Sequence, residues 1–290
     1  LISDSVPTNL RFALLIDGDN AQPTLLAAML SELSKYGTIP IRRIYGDWTL
    51  NSMQAWKNHL QDAAIQPIQQ FRNTIGKNAT DSALIIDAMD ILHSGLTTGM
   101  CIVSSDSDFT RLATRVREQG MFVIGIGRKT TPKAFVNACQ VFTYTENLQP
   151  RSSSTPPSQT TKKPKHATTP ERKDGNSEEL PLIWETTSER MGDPLPLIRR
   201  AFETSAMEDG WANLGTVGQN LLKLDPAFDP RTYGFKQLAP LFRSFPEYIE
   251  VRDKSAGKSG GSAIYIRWIE QDPFEEEPDK PTETRSKRSR

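Results

Sequence analysis

The chain has 290 residues, of which 37% are hydrophobic, and its 35 basic and 35 acidic side chains cancel to a formal charge of zero. That length allows one large or two ordinary domains, and the modest apolar share points to stretches that join no core. Zero net charge excludes a protein that holds polyanions by bulk basicity, and two cysteines without metal-ligand spacing, Cys101 and Cys139, exclude a disulfide framework and fit a reducing, cytoplasmic setting.

Taken in order, the first half alternates strands and helices. "RFALLI" is a short buried strand, and "QPTLLAAMLSELSKYG" a helix with Pro23 early, a stripe of Leu26, Met29, Leu30 and Leu33, and Gly37 as its end. "PIRRIYGDW" is a strand, "SMQAWKNHLQDAA" a helix and "IQPIQQF" a strand. "TDSALIIDAMDILHSG" is a helix with Thr80 as N-cap. "MCIVSS", "DFTRLATRVREQG", "MFVIGIG", "PKAFVNACQ" and "VFTYTE" continue as strand, helix, strand, helix, strand. This alternation predicts a parallel sheet covered on both faces, over residues 10–148.

Residues 149–193 are rich in Pro, Ser, Thr and Lys and read as a flexible linker. Residues 194–270 show three short helical patterns, with Phe235, Leu238, Leu241 and Phe242 at helical spacing in the third. Two strands, "YIEVRD" and "AIYIRWI", then follow around a Gly/Ser/Lys turn, which predicts a small α+β winged helix. Residues 271–290 are charged and read as a disordered tail. No stretch is long and apolar enough to span a bilayer, so no membrane partner is expected. The first residues lack a charged segment followed by an apolar one, so no signal peptide is expected within them.

In a parallel α/β sheet, ligands bind beyond the carboxyl ends of the strands. The first strand ends in Asp17, Asp19 and Asn20, the strand before residue 105 ends in Asp106 and Asp108, and Asp81 opens a helix where the chain returns to that edge. Converging carboxylates repel unless protonated or sharing a cation, and all-oxygen ligands select Mg²⁺ or Mn²⁺ over zinc. Any single Asp at such a turn also reads as a cap or a solvated turn, Asp108 in particular as the cap of the helix from Phe109. Asp87 and Asp90 point away from Asp81 at 100° per residue and read as a solvated or structural face.

The order "LLIDGDN", "GKNATDSALIIDAMDIL", "IVSSDSDFTRL", "GMFVIGIG", "FVNACQVF" resembles the NYN domains, PIN-like metal-dependent ribonucleases, and their LabA-like branch over residues 10–147. The resemblance implies a PIN-like Rossmannoid fold with Asp17, Asp81, Asp106 and Asp108 as metal and catalytic residues, Asn20 beside them, and Lys77 near substrate phosphate. Asp19 takes a supporting role. It implies Mg²⁺- or Mn²⁺-assisted hydrolysis of RNA phosphodiesters, as an endonuclease on single-stranded RNA. Ser104, Ser105 and Ser107 offer hydroxyls to ligands or phosphate, or are merely small and polar. Arg42, Arg43, Arg72, Arg128 and Lys129 are candidate phosphate contacts, each also readable as solvated surface charge.

The stretch "GWANLGTVGQNLLKLDPAFDPRTYGFKQL" resembles the LOTUS (OST-HTH) domain, which implies RNA binding or a protein partner. Lys236, Arg243, Lys254 and Lys258 would face phosphate. Tyr233 and Trp211 would stack on bases, against the alternative that Trp211, Phe235 and Phe242 form core. The linker would tether two modules to one transcript. Two other readings stand beside a ribonuclease. One is a non-catalytic RNA-binding adaptor. The other is a haloacid-dehalogenase-type phosphatase using the Asp pair of "LLIDGDN", disfavoured because Ala21 replaces the usual Thr and Lys77 precedes a helix.

Overall fold

A computed structural model describes residues 10–71, 79–149, 192–254 and 263–269. Arg72, Lys77, Lys258, the Lys254 side chain, most of the expected linker and the expected tail lie outside them.

The first domain is a six-stranded, all-parallel sheet in the order β3-β2-β1-β4-β5-β6. Its strands are β1 (Leu10–Asp17), β2 (Gly37–Gly46), β3 (Gln66–Gln69), β4 (Gly99–Val103), β5 (Phe122–Gly127) and β6 (Val141–Tyr144). Helices α1 (Leu26–Leu33), α2 (Gln54–Asp62), α3 (Ala79–Ser94), α4 (Phe109–Glu118) and α5 (Lys133–Ala138) connect them. Strand parity divides the core: Phe12, Leu14, Ile16, Cys101 and Val103 face α1 and α2, while Ala13, Leu15, Met100 and Ile102 face α3, α4 and α5. This is the α/β, PIN-like Rossmannoid architecture expected. Both cysteines are buried and unpaired, and burial pushes the Cys139 thiol up to about 12.

Two local expectations need correction. α1 ends at Leu33, where the Ser34 hydroxyl donates to the Ser31 carbonyl and Tyr36 N–H to the Leu33 carbonyl; Gly37 instead opens β2, paired with Leu10. α3 already begins at Ala79, so Thr80 is not its N-cap but a buried residue of its first turn. Asp87 is structural: it accepts from Arg43 and from the Tyr45 hydroxyl, clamping α3 to β2.

The second domain has helices α6 (Leu195–Glu203), α7 (Leu214–Leu224) and α8 (Leu238–Arg243), and a sheet β7-β9-β8 of β7 (Ala212–Asn213), β8 (Ile249–Lys254) and β9 (Ala263–Trp268), antiparallel throughout. The Asn213 side chain accepts from Gly215 N–H and Thr216 N–H and so caps α7. Helices closing on a two-stranded wing make this a small winged helix. α8 starts only at Leu238, because the chain turns at Gly234 (φ 96°), a left-handed conformation; Phe235 therefore packs from a turn, with its N–H on the Pro230 carbonyl. Phe242 is core, but Trp211 is not: it lies half-buried beneath Arg252 and Arg267, whose guanidinium carbons are 4.5 and 5.0 Å from its ring.

The two domains are docked. Phe142 N–H of edge strand β6 donates to the Pro226 carbonyl at 2.8 Å, and the Asn147 amide donates to the Thr232 hydroxyl at 3.0 Å. Ala227 joins the core on the α3 face, and Leu222 of α7 packs against the core on the α1 face. Among the described residues no helix is long and apolar enough to cross a membrane.

Candidate metal centre

β1 and β4 are neighbours, yet the connections that leave them go to opposite faces, α1 to one and α4 to the other. The crevice this opens at their carboxyl ends is where a doubly wound sheet binds ligands. Asp17 is the last residue of β1, and Ser104 to Asp108 form the turn after β4. Gly18 lets the chain leave β1 closely: its N–H donates to the Tyr45 carbonyl, which a Cβ would approach to 2.7 Å.

Asp17 is fully buried. Its Oδ2 accepts from the Ser104 hydroxyl at 2.8 Å and the Asn20 amide at 2.6 Å, and its Oδ1 accepts from Asp19 N–H at 3.1 Å. Burial raises its pKa, while the Asn20, Ser104 and Asp19 donors pull it back down. Ser104 is itself buried, and its oxygen accepts from Asp106 N–H at 3.1 Å. One hydroxyl thus fixes the Asp17 carboxylate and the turn that carries Asp106.

Asp81, Asp106 and Asp108 each present a carboxylate oxygen, and these oxygens lie within 4.8 Å of one another. Asp17 is not in that set, but its charge acts on Asp81. Burial first, then the charges of Asp17, Asp106, Asp108 and Asp19, push Asp81 up to about 6. Asp106 shapes its own turn, its Oδ1 accepting Asp108 N–H at 2.9 Å. Asp108 occupies the N-cap position of α4 without a side-chain capping hydrogen bond, so capping does not account for it. Three crowded carboxylates, half-buried or exposed, suit a hard divalent cation.

The other expected residues divide. Asn20 holds Asp17. The Ser105 hydroxyl oxygen accepts Arg128 N–H at 2.8 Å, tying the turn after β4 to the one after β5, and the Arg128 side chain is exposed. Lys236 is exposed in the second domain. Arg42 donates to the Ile39 and Ala63 carbonyls and Arg43 to Asp87, so both brace the scaffold rather than standing ready for phosphate. Of the three candidate serines, Ser104 is the one that turns inward to hold Asp17. Strand parity identifies it: Ile16 pairs with Val103, so Asp17 and Ser104 follow side by side on the α3 face.

Residues 11–148 match the model of the NYN domain, and residues 191–259 match that of the OST-HTH/LOTUS domain. A solved structure of a protein of unknown function from Vibrio parahaemolyticus is 16% identical, with a TM-score of 0.40, over 49% of this chain and 94% of that one. A solution structure of an uncharacterized protein from Nitrosomonas europaea is 27% identical, with a TM-score of 0.26, over 36% of this chain and 94% of that one. No curated protein matches.

Proposed function

Because this chain joins an NYN domain to an OST-HTH/LOTUS domain, we propose that it is a divalent-cation-dependent endoribonuclease that hydrolyses single-stranded RNA, with the winged helix gripping the transcript. The observation that carries this reading is the meeting of the Asp81, Asp106 and Asp108 carboxylates beside buried Asp17, at the crevice between β1 and β4. Mg²⁺ or Mn²⁺ is the cation the oxygen donors favour. When bound, it supplies Lewis acidity that offsets charge on the phosphoryl group and eases deprotonation of water.

The chain's own groups hold and orient. Ser104 and Asn20 keep the Asp17 carboxylate fixed behind the cluster, and Ser104 also sets the turn that presents Asp106 and Asp108. In the second domain the Trp211 ring stacked under Arg252 and Arg267 offers cation and π surface to a nucleotide, with Lys236 and Lys258 as further phosphate contacts. Lys77 precedes the helix that carries Asp81 and is the phosphate contact proposed at the nuclease centre.

The test is cleavage of an unstructured RNA by the full chain with Mg²⁺ or Mn²⁺. EDTA should abolish cleavage, and Asp106→Asn should lower it by more than about 100-fold, beyond the usual effect of losing an outer-shell partner. Full activity in Asp106→Asn, or no cleavage under any divalent cation, would refute the proposal.

A further inference from the structure

Between α3 and α4 the surface sinks into a groove of about 380 Å³, floored by Ile85, Met89 and Leu112. Asp108 lines its upper end, so the groove is continuous with the carboxylate cluster. Each helix leads down from that cluster: Ile85 and Met89 lie one and two turns beyond Asp81, and Arg111 and Arg115 one and two turns beyond Asp108. Both arginines line the groove and are exposed. Arg115 is 3.7 Å from Glu118, with both side chains about half exposed, and a pair of that kind contributes little and yields readily to a phosphate.

A strip of apolar floor with two guanidinium groups along one wall is matched by a nucleic-acid strand, which offers base faces and a row of phosphates. An apolar peptide helix would offer Arg111 and Arg115 no acceptor of its own. The volume falls in the range that takes a small ligand or one base with its flanking groups. We infer that the α3–α4 groove is the track for the RNA next to the scissile phosphate, with bases on Ile85, Met89 and Leu112 and phosphates on Arg111 and Arg115. The track presupposes that the carboxylate cluster acts on RNA, but binding can be read without cleavage.

The experiment compares the full chain in an Asp106→Asn background with the same chain carrying Arg111→Gln and Arg115→Gln, and separately Met89→Ala. Affinity for a fluorescent single-stranded oligoribonucleotide is measured across a salt series. Losing two phosphate contacts should lower the slope of log affinity against log salt by about 1.4 and weaken binding on the order of tenfold at physiological salt. The melting temperature without cation should match that of the parent, which separates loss of the track from loss of fold. Met89→Ala should weaken binding without changing the slope. With Asp106 restored, the arginine pair should raise KM and leave kcat in place. Unchanged affinity and slope, or no RNA binding by the parent, would overturn the track and leave the groove to a protein helix. Binding through the groove without cleavage by the wild type would instead sink the nuclease reading and keep the track.

Discussion

Arg231, from the second domain, sets its two terminal nitrogens on the two oxygens of Glu32 at the end of α1, at 2.9 and 3.0 Å. Glu32 is buried, and Asp229 holds the other edge of the same guanidinium. A fork of this kind joins the domains with fixed geometry as well as charge. Arg231→Met should remove about 1.5–3 kcal/mol of coupling between the domains, the loss of charge-assisted hydrogen bonds to Glu32, which keeps Lys35 as a partner. Calorimetry of the wild type should give one cooperative transition and the variant two. A single transition at the parental temperature would show the fork to be dispensable.

The carboxylate cluster predicts a pH-dependent response to cations. Asp81 rises from 3.8 to about 6 on folding, so between those values the folded chain keeps a proton that the unfolded chain releases. Without divalent cation, stability therefore falls as pH rises through that window. A cation competes with the proton, so the stabilisation by Mg²⁺ or Mn²⁺ should be small near pH 4 and grow to a plateau above about pH 6. Melting curves with and without cation across that range check this, and an equal shift at both ends would contradict it.

Ser104→Ala removes the hydroxyl that joins Asp17 to the turn of Asp106. The variant should lose about 1–3 kcal/mol, the cost of leaving a buried partner unsatisfied. Its cation affinity should drop as well, because Asp106 loses its brace. Ser105→Ala, whose hydroxyl lies between two loops, should retain the cation response. Denaturant melts with a cation titration of both variants distinguish them, and identical behaviour would remove the special role of Ser104.

Asp108 separates helix capping from cation binding. Its side chain makes no capping bond, so Asp108→Ala should leave α4 and the cation-free melting point almost unchanged while reducing the cation-induced shift. A drop near 1 kcal/mol without cation, the usual cost of losing a cap, would restore the capping role.

Much of this was legible in the chain. Apolar runs alternating with amphipathic helices gave the parallel sheet, and the rule that ligands gather at strand ends brought Asp17, Asp81, Asp106 and Asp108 to one edge from distant segments. Identical neighbouring serines were harder to tell apart, since only pairing across β1 and β4 shows that Ser104 turns inward beside Asp17. Docking of the second domain was not legible. Leu222 and Ala227 are apolar residues that any winged helix would use for its own core, and here they pack on the first domain. The two domains also touch directly, which the expected tether alone does not imply. Which of its two readings Trp211 would take was not legible either, because its partners Arg252 and Arg267 come from strands that close only in the folded wing.

The bond from Phe142 N–H to the Pro226 carbonyl has a consequence for dissection of the chain. β6 is an outer strand of the sheet, and the second domain occupies part of its open hydrogen-bonding edge. Residues 10–149 cut out alone would bare that edge together with the apolar surface under Leu222, the combination that templates strand addition between molecules. Such a fragment should self-associate as its concentration rises, whereas the intact chain keeps this edge covered.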